Sequence, residues 1–291
     1  MAVAHCITRE NIPSQIGPEG RAVASMEIKG LTMAIIFQIE SPNDEQINEN
    51  IKSRKRIIDG KLYRHTYIPI QTLRYSFVNQ IGADYEEIGA DKTVLQLDPK
   101  ATVDKYPEVD LFGYVKNVGE QKIRLAIVRL SNAVSLESLK NEDGTGRTYY
   151  TYTISADLDK VGMDVNDGIE IANTEKADRI INLLDTIKHL YIGPDEDKKY
   201  LEPLFVIGGV YDFEDAIFHD ILGVGNNKVD IDKIKSVLKD IPYKNAETDT
   251  LCGLVKGIFD NDNEITEKLD AKTISEYFEI IKDKVISYYE S

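Results

Sequence analysis

Between Ile28 and Ile39 the chain is apolar except at Lys29, Gly30, Thr32 and Gln38. The β-branched content of this run predicts a buried strand, with Gly30 a bulge. A bilayer-spanning helix needs about 20 apolar residues, and no stretch of the sequence approaches that. The run therefore commits the chain to a sheet-containing core. Residues 1–25, with Pro13, Gly17, Pro18 and Gly20 and no periodicity, read as an extension before the folded body, and Met26 as its natural start.

After the run, Ser41–Arg64 is polar and highly charged and reads as a long loop or small irregular insertion. Pro69 then opens a helix whose Leu73, Phe77, Val78 and Ile81 share one face, closed by Gly82. Residues 83–108 give no clear pattern. Asp110–Val118 and Lys122–Leu130 read as strands. Asn132–Arg147 is a second polar stretch ending in a turn signal at Asp143-Gly144. Thr148–Leu158 alternates Tyr150, Tyr152 and Ile154 against Thr151, Thr153 and Ser155, as a strand does. A helix capped at Asn173 or Thr174 follows, with Ile180, Leu183, Leu184, Ile187 and Tyr191 inward. Leu204–Tyr211 reads as a short strand broken at Gly208-Gly209. Asp230 begins a helix stopped by Pro242, and Thr273–Glu276 forms a capping box for the last one. The order predicts an α+β fold: one domain over 26–291 with two insertions, at about 41–66 and 131–147.

Composition narrows the chemistry. With 291 residues, 42% hydrophobic and 29% charged, the chain has ample material for a core without metals or disulfides. Cys6 and Cys252 are too few and too far apart for a disulfide framework or a paired-cysteine zinc site. Lacking a signal-peptide pattern, the chain is expected in the cytoplasm. Motifs for nucleophilic hydrolysis, zinc peptidases, phosphate-binding loops and dinucleotide binding are all missing, and no histidine pair has ligand spacing. No cofactor or metal is expected. Asp44 and Glu45 are carboxylates in the first polar stretch that read first as a solvated loop face.

Charge is the informative quantity. The net charge is −15, of which residues 1–150 carry only −1 and residues 151–291 carry −14. Within the first half, Lys52, Arg54, Lys55, Arg56, Lys61, Arg64 and Arg74 face a single acid, Asp59, giving a local +6. Tyr63, His65 and Tyr67 are interleaved among these bases. Cations for phosphates and rings for bases suit a single-stranded nucleic acid. A solvated basic loop is the plainer alternative.

At this point the residues resemble a known family. The segments Gly30–Ile36, Tyr67–Tyr75, Asp110–Val115, Arg129–Leu136, Tyr149–Gly162 and Leu201–Gly209 resemble, in order, the DevR-type backbone subunit of the type I-B CRISPR Cascade surveillance complex. The likeness covers roughly residues 26–211, and 212–291 follow by continuity. It implies an RRM-like (ferredoxin-like) palm, of the RAMP superfamily, with inserted fingers and thumb, the thumb at 131–147. It further implies a non-catalytic subunit that polymerises head to tail along a CRISPR RNA and presents it for pairing with target DNA in antiviral defence. Other Cascade subunits (cap, large, small and the repeat-processing endoribonuclease) would be its partners. Lys52, Arg54, Lys55, Arg56, Arg64, Gln71, Arg74, Arg129 and Arg147 are then the expected RNA contacts. The sequence departs from the family in lacking a glycine before the Asn48-Glu49-Asn50 turn, in carrying Pro69-Ile70 where Ser-Arg is expected, and in residues 1–25. Two other readings stand: a type III-like ribonuclease using Asp44 on target RNA, and an unrelated α+β enzyme.

Overall fold

The buried run is the middle of the molecule. In a computed structural model, which describes residues 28–42, 47, 48, 50–58, 61–81, 101–118, 120–138 and 146–291, Gly30–Glu40 forms strand β1. The extension 1–25 lies outside the described residues. β2 (Lys52–Ile58), β3 (Lys61–Ile68), α1 (Ile70–Gln80), α2 (Pro107–Phe112), β4 (Tyr114–Val118), β5 (Glu120–Arg124), β6 (Val128–Leu130), β7 (Ala133–Ser135) and β8 (Arg147–Asp157) follow. After them come β9 (Met163–Asp164), β10 (Ile169–Glu170), α3 (Asn173–Lys188), β11 (Tyr191–Ile192), β12 (Lys199–Tyr200) and β13 (Phe205–Tyr211). The chain ends with β14 (Val224–Gly225), β15 (Lys228–Val229), α4 (Ile231–Asp240), α5 (Ala246–Asp249), β16 (Leu251–Leu254), α6 (Asp262–Leu269), β17 (Lys272–Thr273) and α7 (Ile274–Glu290).

β1 is hydrogen-bonded on both sides, to β13 and to β8, and both pairings are antiparallel. β6 pairs with β8. The order β13-β1-β8-β6, with α1 between β1 and β6 and α3 between β8 and β13, is the βαββαβ arrangement of a ferredoxin-like palm. The fold is thus α+β, as the sequence predicts. Beyond this palm the nine-stranded sheet runs through β7, β3 and β2 on one side and β16 and β17 on the other.

The alternation of β1 divides two cores. Leu31, Met33, Ile35 and Phe37 point toward α1, α3 and α7, joining Leu73, Phe77, Ile180, Leu184 and Ile281. Ala34 and Ile36 point the other way, into Phe205, Ile207, Phe218, Ile234 and Ile265. Each such Leu, Ile, Met or Phe side chain, fully buried, contributes roughly 1.5–3 kcal/mol. The second core is supplied largely by residues 213–271, so the sheet face opposite the helices is covered over β1 and β13.

Several expectations are corrected. Gly30 is no bulge: it keeps register with both neighbours, and a Cβ there would lie 2.1 Å from the Phe213 carbonyl oxygen. Gly208 does not break β13. It takes φ +154°, and its missing Cβ leaves space for the Thr32 carbonyl, which would otherwise be 2.1 Å away. The segment 41–66 is not a loop throughout, because β2 and most of β3 lie within it. Asp110–Phe112 belongs to α2, whose Pro107 starts a helical turn before the strand begins at Tyr114. The residue before α3 is Ala172, with no side-chain cap, and Tyr191 falls in β11. The described residues of 131–147 include β7 and the start of β8, strands of the main sheet rather than an insertion; 139–145, part of the expected thumb, lie outside the described residues.

Replacing Gly208 with Ala forces a side chain onto the β1 backbone and is expected to destabilise the protein by about 3 kcal/mol. Gly225→Ala, where a Cβ meets nothing within 4 Å, is expected to stay within about 0.5 kcal/mol of the parent. Urea unfolding of the two variants checks the contrast.

Candidate nucleic-acid interface

The basic segment is a β-hairpin. Seven residues of β2 pair antiparallel with β3, from Lys52–Tyr67 at the base to Ile58–Lys61 at the far end. Between the two strands the sequence has Asp59-Gly60, which lie outside the described residues and are a dipeptide suited to two-residue hairpin turns. At the entry to β2, the Asn48 side chain accepts from the backbone N–H groups of Asn50 (2.8 Å) and Ile51 (3.3 Å). This Asx turn holds the bend without the glycine that the resemblance leads one to expect.

The base of the hairpin is fixed to the palm. Ile51 and Ile68 are buried in the helix-side core. Thr66 is fully buried; its N–H donates to Ser135 Oγ at 3.1 Å and its hydroxyl shares a hydrogen bond with Tyr150. Only Tyr67 and Ile68 of β3 pair with β7. The remaining residues of β3 pair with β2 alone, so the distal hairpin stands clear of the sheet.

Cross-strand partners share a face. Ser53–Thr66, Lys55–Arg64 and Ile57–Leu62 lie on the face that points toward Tyr150 at the base. Lys52–Tyr67 and Arg54–His65 lie on the opposite face, and Arg56 holds the register position opposite Tyr63. That second face therefore pairs each base with a ring. Lys52 and Arg54 are exposed, and Tyr63, His65 and Tyr67 half-buried. Through Val134, which is opposite both Tyr67 and Thr151, the face continues onto β8. The covering second core lies beyond, over Ile36 and Phe205.

Most other bases of the palm are committed to carboxylates. Arg124 and Arg179 hold the fully buried Asp110, which also accepts from Gly162 N–H at 2.9 and 3.0 Å. Lys116 and Lys122 share Asp167. Lys52, Arg54 and Lys55, by contrast, make no ion pair among the described residues.

The expected contacts separate accordingly. Lys52 and Arg54 come together with the rings, while Lys55 and Arg64 lie on the other side of the same hairpin. Arg147 is opposite Glu40 on β1, four residues before Thr151 on β8, and is not on the hairpin. Gln71 is exposed in the first turn of α1, in the helix layer. Arg74 donates from Nη2 to the Phe112 carbonyl at 2.5 Å and lies 5.8 Å from that ring. Ile70 is held by its N–H donating to Asn132 Oδ1 at 2.8 Å. Arg129 is far from the hairpin and committed elsewhere: it grips Asp157 with both terminal nitrogens, Nη1 at 2.8 Å, and also donates to the Glu214 carbonyl. Asp44 and Glu45 lie outside the described residues.

No protein-family model matches the chain, and no curated protein does. Among solved structures, a chain of a CRISPR RNA-guided surveillance complex superimposes with a TM-score of 0.51 at 10% identity, covering 89% of this chain and 99% of that one. A chain of a type IV-B CRISPR complex gives a TM-score of 0.34 at 12% identity, over 63% of this chain and 90% of that one. The crystal structure of Thermofilum pendens Csc2 gives 0.34 at 10% identity, over 86% and 81%. The first likeness establishes a shared fold; the other two superimpose too loosely to add to it. Among the described residues no helix is long and apolar enough to cross a membrane.

The Asp157 cluster gives a pH prediction. Burial pushes the Asp157 carboxyl up, but hydrogen bonds from Arg129 and Lys160 outweigh it and hold the carboxyl below its ordinary range. A depressed carboxylate stabilises the fold above its unfolded pKa of about 3.9, and that stability is lost as pH falls through the folded value. Both cations are nearly half exposed, so we expect Asp157→Asn to cost about 1–3 kcal/mol at pH 7, less than a wholly buried pair. The gap between parent and variant in urea unfolding is expected to close below about pH 4.

Proposed function

We propose that the chain is an RNA-binding backbone subunit of a CRISPR RNA-guided surveillance complex. The observation that carries this reading is the hairpin face on which bases that make no ion pair among the described residues stand opposite rings, mounted on a palm whose fold is shared with a chain of such a complex. The guide strand lies along this face, its phosphates on Lys52 and Arg54 and its bases on the rings. Sequence is then read by pairing of target DNA with the guide bases that are not held on the rings. Copies follow one another head to tail along the guide and meet the cap, large, small and processing subunits of a Cascade, of the DevR-type I-B branch by sequence resemblance.

The subunit acts by holding RNA and has no catalytic role of its own. The ribonuclease alternative depends on Asp44, and Asp44→Ala separates the two readings: target RNA incubated with Mg²⁺ stays intact with either form of the protein if the subunit is non-catalytic. Cleavage lost on this substitution would establish the alternative.

The decisive experiment is co-expression with a CRISPR array and the partner subunits, purification without nuclease, and sequencing of the bound nucleic acid. Uniform CRISPR RNA in a large assembly is expected. Replacing Lys52, Arg54, Lys55 and Arg56 by Ala is expected to remove it, with RNA affinity at least about a hundredfold weaker if two charge-assisted contacts go. A nucleic-acid-free monomer under the same conditions would refute the proposal.

A further inference from the structure

The hairpin has two faces, and they are not equivalent. Lys52 and Arg54 are directly opposite Tyr67 and His65, whereas Lys55 is opposite Arg64 and its neighbours on that face are Ile57 and Leu62, 73% and 61% exposed. Lys52, Arg54 and Lys55 are each exposed. Charge and exposure therefore do not distinguish them; the ring partner does. A base that stacks and a phosphate that pairs must belong to the same or adjoining nucleotide, so only the face that carries both groups side by side can take up a nucleotide as a unit.

Resting on the functional reading above, we infer that the Lys52–Tyr67 and Arg54–His65 pairs are two successive nucleotide subsites for an unstacked single strand, and that Lys55 on the other face takes no part. Rings two residues apart on a strand stand about 6.8 Å apart. The rise of a stacked strand is about 3.4 Å, so successive rings leave room for one base each and the bases are separated from one another. A duplex cannot offer bases in this way. The covered sheet face excludes the alternative seat: over β1 and β13, where an open four-stranded palm would present its rings, Ala34, Ile36, Phe205 and Ile207 are sealed under residues 213–271. The hairpin face, its continuation at Val134 and the half-buried Tyr63 remain outside that cover.

The test is fluorescence anisotropy of a short fluorescein-labelled oligouridylate with the full-length chain over a series of salt concentrations. Lys52→Ala and Arg54→Ala are each expected to reduce the slope of log affinity against log salt by about 0.7, and the pair by about 1.4, the value for one and two phosphate contacts on a single strand. Lys55→Ala leaves the slope unchanged. Tyr67→Ala weakens binding by about 5- to 150-fold without altering the slope, Tyr67→Phe retains affinity, and the loss vanishes on an abasic strand of equal length. Thermal melting of Tyr67→Ala checks that the fold survives, and His65→Ala provides the same measurement at the second subsite if it does not. Equal slope losses for Lys52→Ala and Lys55→Ala, or an undiminished Tyr67→Ala effect on the abasic strand, would overturn the inference while leaving RNA binding intact. No binding by the unsubstituted chain would overturn the functional reading itself, and this inference with it.

Discussion

The double-sided pairing of β1 is the constraint on which the rest of the molecule depends. A strand hydrogen-bonded to β8 and β13 and buried on both faces cannot shift register without moving apolar side chains out of both cores at once. It therefore fixes the levels of the other strands of the nine-stranded sheet. Thr151 is level with Ile36, Val134 with Thr151, Tyr67 with Val134 and Lys52 with Tyr67, all through direct pairings. The position of a surface lysine at the sheet edge is thus set by an isoleucine in the centre. A rigid floor of this kind lets a two-stranded ribbon, marginal when isolated, present side chains at constant spacing.

Much of this was legible in the sequence where a pattern had a single physical meaning. The run at Ile28–Ile39, the alternation of Thr148–Leu158, the α1 face of Leu73, Phe77 and Val78, and the Thr273 capping box all appear where periodicity and capping chemistry place them. The hairpin did not, because a strand exposed on both faces has no apolar alternation to betray it. Its signal was of another kind: Asp59-Gly60 between two runs of similar length, with bases and rings at every second position. Arg129 illustrates the opposite failure. Nothing local distinguishes it from Arg54, and only the fold brings Asp157 within reach, 28 residues away. Charge in a sequence is a count, whereas availability is a three-dimensional property.

In the acidic half, too, charge is partly committed to internal partners. Asp212 pairs with Lys29, Glu214 with Lys160, and Asp215 accepts from the Tyr243 hydroxyl. These carboxylates are internal partners as well as surface charge. Their pairings join the segment after β13 to the start of β1 and the end of β8, where the second core begins. The acidic excess and the covered sheet face are in this sense one feature: the C-terminal residues that close the face bring the negative charge with them.

That coupling bears on how an acidic protein holds a polyanion. At physiological ionic strength the field of a charge decays over about 8 Å, so carboxylates beyond that distance slow the approach of RNA more than they weaken its contact. Lys52 and Arg54 lie on the outermost strand, with β3, β7 and β8 between them and the covered β1 and β13, which separates these bases from the acidic cover, while the pairing of Tyr67 and Ile68 with β7 fixes the root of the hairpin. Affinity then rests on short-range groups, phosphate against ammonium or guanidinium and base against ring, and these act only on a strand already lying in register on the hairpin. Long-range repulsion with local attraction favours the strand that makes every contact over one that makes a few. A uniformly basic surface would give up that discrimination.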